Sequence, residues 1–166
     1  MSHDEKKLAL IELELIELEY ELLMLNGTAK RLSALPIFQE GELSALTIER
    51  NAYTESFLIH MRNLIDFFED WKDKKDIRCS DFNIKKVLIQ LPTNNTRDEI
   101  NKFLSHLTKR RIREESPEWK HAEIKKELNK HMRCFIEKIP ETTFPKDGVG
   151  SKKRFESLLN PTYVPE

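Results

Sequence analysis

Glycine is scarce in this chain of 166 residues, with only 4, and cysteine is scarcer, with 2. So few glycines exclude turn-rich sandwiches and barrels, which need special backbone conformations at many corners. Cys79 and Cys134 lie 55 positions apart, with no CxxC and no Cys/His cluster near either. A disulfide or a zinc site is therefore disfavoured, and reduced packing thiols are the expectation. No apolar run approaches the roughly 18–20 residues that span a bilayer, and the first residues lack the apolar stretch of a signal peptide. A cytoplasmic protein without a membrane partner is expected. Also missing are GxxxxGK[ST], GxGxxG and HExxH, so nucleotide hydrolysis, dinucleotide binding and zincin chemistry lack their motifs. Glu118 and His121 form the only Glu-x-x-His pair, whereas a di-metal bundle needs two. His121 and His131 stand too far apart on one helix to share an ion. No cofactor and no metal are expected.

What is abundant is charge and helix-forming side chains: 34% of residues are charged, with a net charge of −1. The balance is uneven, −8 over residues 1–70 and +7 over 71–166. Such polarity suits an acidic helix packed on a basic one, or a basic surface that meets phosphate.

Leu8, Ile11, Leu15, Leu18, Leu22 and Leu25 recur at alternating spacings of 3 and 4, and Ala29 and Leu32 continue the stripe, which predicts one helix over roughly 4–35. Leu10, Leu13, Ile16, Tyr20, Leu23 and Met24 form a second apolar side, flanked by glutamates. A helix apolar on two sides needs neighbours on both, and one neighbour is expected to be a second copy of the chain. Pro36 and Gly41 punctuate a turn into a second helix, about Ser44 to Trp71, with Leu46, Tyr53, Phe57, Met61, Leu64, Phe68 and Trp71 at core spacing. Residues 72–95 read as a long connection with a short strand-like or helical piece. Thr96 and Glu99 make a capping box for a helix of about 97–113, on Ile100, Phe103, Leu104 and Leu107. Ser116-Pro117-Glu118 opens a fourth that ends near Ile139, before Pro140, on Ile124, Leu128, Met132, Phe135, Ile136 and Ile139. The expected architecture is all-α, an antiparallel four-helix bundle over 1–139 with a long connection between helices two and three. Residues 140–166 read as a proline-containing tail, loosely held, with a short helix near 152–159.

The stretch FLIHMRNLIDFF, residues 57–68, places His60, Arg62, Asn63 and Asp66 inside the most apolar run of the chain. Arg62 and Asp66 are i,i+4 neighbours, with Glu55 and Glu69 a heptad either side of Arg62, so a solvent-facing ion-pair ladder is one reading. The other is half of a site, completed by Asn101 and His106 on the third helix. His60 falls at the border of the apolar face, where imidazole serves either packing or proton exchange.

FLIHMRNLIDFF, DIRCSDF and INKFLSHLTKRR together resemble a set of small bacterial helical proteins, over roughly residues 15–135. That set is similar to the HEPN superfamily, helical bundles that often dimerise and include metal-independent ribonucleases of defence systems. The resemblance implies a bacterial defence or stress component. In place of the superfamily's following histidine, this chain has Phe67, Phe68 and Glu69. The site it implies is therefore His60, Arg62 and Asn63, with His106 from another helix. RNA cleavage needs a base, an acid and a cation, roles His60 or His106 and Arg62 would fill. Lys109, Arg110, Arg111 and Arg113 would track the phosphate backbone. Two functions thus remain open, a helical binding or assembly module with a homodimeric or other protein partner, and a HEPN-like ribonuclease or RNA-binding protein. Whether the chain is an enzyme stays undecided at this stage.

Overall fold

The computed structural model describes residues 3–36, 45–70, 75–92, 97–105 and 119–160. The protein is all-α, with helices α1 (His3–Ala34), α2 (Ala45–Glu69), α3 (Arg97–Ser105), α4 (His121–Lys138) and α5 (Lys152–Leu159). No strand occurs among the described residues. The 3,4 stripe of α1 buries Leu15, Leu18, Leu22, Leu25, Ala29 and Leu32, while Leu8, at its N-terminal end, stays 46% exposed. Pro36 disfavours helical backbone at Leu35 and so ends α1. Arg50 then donates to the carbonyls of Leu35 (3.0 Å) and Pro36 (2.8 Å), placing a cation at the negative end of the helix. Residue 35 meets residue 50, and Glu21 meets His60 and Asn63, so α1 and α2 run antiparallel.

Of the expected α2 core, Phe57, Met61, Leu64 and Phe68 are buried, Tyr53 is half-buried and Leu46 is exposed. Trp71 lies outside the described residues. Phe57 meets His121 and Phe68 meets His131 ring to ring, so α2 and α4 run in the same direction. Phe135 of α4 packs edge-on against Phe67 and Phe82, at 5.0 and 5.2 Å between centroids. The stripe expected for α4 is buried from Ile124 to Ile139.

Among the described residues of the connection after α2, Cys79–Phe82 form a 3-10 turn. Asp81 accepts from the Arg78 backbone N–H (2.9 Å) and side chain (3.2 Å), and Asn83 closes the turn in the left-handed conformation at φ 59°. The Cys79 thiol donates to the Phe68 carbonyl (3.4 Å), and burial pushes its pKa up to about 12. Cys134, by contrast, is exposed rather than a packing thiol, and both cysteines are free.

Residues 141–160 of the segment expected to be loosely held are packed instead, and 161–166 lie outside the described residues. Phe144, Phe155, Leu158 and Leu159 are buried with the main core. Glu19 of α1 is only 2% exposed and accepts hydrogen bonds from the Gly150 backbone N–H and from Arg154 Nε. Gly150 has φ 81°, and a Cβ there would sit 3.1 Å from Ile16 Cγ1, so both the backbone and the contact require glycine. The chain's own C-terminal segment is therefore a neighbour of α1 at Ile16 and Asn26, whereas Leu10, Leu13 and Tyr20 of the second apolar side stay exposed.

Candidate functional site

The antiparallel pairing of α1 and α2 sets Glu21 opposite two of the polar residues of FLIHMRNLIDFF. His60 Nδ1–H donates to Glu21 Oε2 at 2.7 Å, and Asn63 Nδ2 donates to Glu21 Oε1 at 3.1 Å. One carboxylate thus holds both side chains, with His60 only 7% exposed beneath the edge of the Tyr20 ring, 5.6 Å away. Arg62 reaches across to α3, where Nη1 lies 3.5 Å from Asn101 Oδ1. Glu69 accepts from the Ile89 backbone N–H at 3.0 Å. Arg62, Asn63 and Asp66 are half-buried between helices rather than spread along a solvated face.

These groups border a cleft of about 530 Å³ between α1, α2, α3 and the connection at residues 75–77. Glu17, Glu21, Asp66 and Asp76 face it, against Arg62 and Lys75. Among the described residues, four carboxylates against two cations contribute a field that repels phosphate. Nearby, burial and then the charge of Asp81 raise the pKa of Glu14, another sign of acidic crowding along this side of α1. Chemically, the Glu21–His60 pair fixes an imidazole in one tautomer and orientation, as a carboxylate does for a general base. Among the described residues, no group of three or more His, Cys, Asp or Glu side chains is placed to hold a metal ion.

Of the expected site, His60 and Asn63 converge on Glu21, and Arg62 joins Asn101. His106, Lys109, Arg110, Arg111 and Arg113 lie outside the described residues. Glu21 and Tyr20 are the participants that sequence reasoning missed. In the sequence Glu21 is one of five glutamates between positions 12 and 21 of α1, and only the pairing with α2 singles it out.

A second set of side chains, sharing only Glu17 with the cleft, stands out for its exposure. Leu10, Leu13 and Tyr20 are 57%, 60% and 48% exposed, and Lys6 and Glu17 beside them are also exposed. The five recur at spacings of 4, 3, 4 and 3, so they form one stripe along the N-terminal two thirds of α1. No helix of the described residues is long and apolar enough to cross a membrane. Comparison of the chain with family models, with curated proteins and with solved structures finds no match to any of them.

Proposed function

We propose that the protein is a helical assembly module that pairs with a second copy of itself through the exposed stripe of α1. The order of that stripe, Lys6, Leu10, Leu13, Glu17, Tyr20, carries the reading. When two such helices lie antiparallel, Leu10 of one copy faces Leu13 of the other, and Lys6 faces Glu17. The contact is then self-complementary under a twofold axis, as a symmetric dimer requires. The 4,3 spacing is that of a helix–helix seam. Burying a leucine fully contributes about 1.5–3 kcal/mol, so four leucines and the tyrosines support a modest, concentration-dependent dimer rather than a permanent one.

Light scattering over a concentration series tests this. Wild type is expected to approach twice the chain mass, and Leu13→Glu, which sets carboxylates against leucines in both halves of the contact, is expected to remain at the chain mass. A wild type at single mass throughout the series would refute the pairing.

A ribonuclease reading draws support from one feature, the imidazole of His60 held by Glu21 beside Arg62. Its test is cleavage of RNA by the wild type, with loss in His60→Ala. Absence of cleavage by the wild type would remove it.

A further inference from the structure

A second opening, of about 850 Å³, lies where α1, α4 and α5 meet. Leu23, Leu158 and Leu159 give it an aliphatic lining. Across it runs a chain of amides: Asn129 Nδ2 donates to Asn26 Oδ1 (3.0 Å), and Asn26 Nδ2 donates to the Leu158 carbonyl (3.1 Å). Asn129 Oδ1 is shielded from solvent and has no hydrogen-bond partner among the described residues. An acceptor in that state is a cost to the fold. Gly27 sits in the middle of α1, where glycine weakens a helix, and nothing lies within 4 Å of where its Cβ would be. The missing side chain keeps the α1 wall of the groove open.

The rim is cationic. Lys30, Lys125, Lys126, Lys130 and Arg133 line it, against Glu127 and Glu137. Lys130 is engaged by Glu127 at 3.3 Å, and Arg133 by the Leu159 carbonyl. Lys30, Lys125 and Lys126 form no ion pair with a described residue, so among the described lining residues three positive charges face an apolar trough against Glu137.

We propose that this groove binds a small amphipathic anion, with its carboxylate or phosphate held by Lys30, Lys125 and Lys126 and its aliphatic body on Leu23, Leu158 and Leu159. The volume is that of a small-molecule site, apolar with a few placed polar groups. Among the described residues no aromatic side chain lines the groove, and single-stranded RNA is held by stacking its bases on aromatic rings, so the described lining suits a small amphiphile better than a nucleic-acid strand.

Calorimetry with two probes below their micelle-forming concentrations tests the proposal: N-decanoylglycine, which carries a carboxylate and an amide N–H, and decyl phosphate. One-to-one binding of either by the wild type is expected, and the stronger of the two identifies the head group. Lys125→Gln is expected to weaken it about tenfold, the loss of one charge-assisted contact. Gly27→Leu should fill the groove and abolish binding while leaving the thermal midpoint unchanged or raised, which separates occlusion from misfolding. The proposal is overturned if neither probe binds the wild type, or if Gly27→Leu binds as well as wild type. Co-sedimentation of both proteins with phosphatidylglycerol vesicles would equally overturn it, assigning the lysines to a membrane surface.

Discussion

Phe135→Ala is expected to cost about 3–5 kcal/mol, the largest loss from any single truncation considered for this protein. Phe135 is 2% exposed and touches rings from two other parts of the chain, Phe67 and Phe68 of α2 and Phe82 of the 3-10 turn. Alanine there removes the apolar area and also leaves a cavity that three edge-on rings cannot close without leaving their rotamers. For a chain of this size the thermal midpoint should fall by about 10 °C or more. Urea denaturation followed by circular dichroism checks it, and a loss under about 1 kcal/mol would mean that the aromatic cluster is not the centre of the core.

Glu19→Ala should come next, at about 2–3 kcal/mol, because the Gly150 N–H and the Arg154 guanidinium both lose their acceptor. Arg154 is 43% exposed on its side chain and can turn to water, whereas Gly150 is buried and cannot. The damage should therefore be local. Residues 144–159 would open in a sub-global step, uncovering Ile16 and Leu23, while α2 and α4 stay packed. Hydrogen exchange is the discriminating measurement: amides of α5 should lose protection far more than those of α4. Equal loss in both helices would show that the C-terminal segment has no separate attachment through Glu19.

Glu19 also marks what could be read in the sequence and what could not. The stripes of α1 and α4 follow from 3.6-residue periodicity, and Leu15 to Leu32 and Ile124 to Ile139 are buried as that period requires. Periodicity says which face is apolar, but it cannot distinguish Glu12, Glu14, Glu17, Glu19 and Glu21, which look alike in a list of spacings. Glu19 is buried because a segment more than a hundred residues later lays a glycine N–H on it, and Glu21 is engaged because α2 passes antiparallel. Both are tertiary facts. The prolines at 140 and 145 disguised the packed segment in the same way. They break the helix, but they do not prevent Phe144 and Phe155 from reaching the core. For Arg62, the i,i+4 rule described an isolated helix, whereas in the fold its guanidinium also reaches Asn101 on α3.

The pairing of α1 with its copy can be tested at the level of register. In a Cys134→Ser background, with Cys79 buried, Lys6→Cys and Glu17→Cys proteins are made separately and oxidised gently, alone and mixed. Opposed antiparallel helices put residue 6 beside residue 17 of the other copy, while the two residues 6 lie about 16 Å apart along the axis. A disulfide-linked heterodimer in the mixture, with neither protein linking to itself, is the predicted result. Self-linking of Lys6→Cys as efficient as linking in the mixture, or no linking at all, would contradict it.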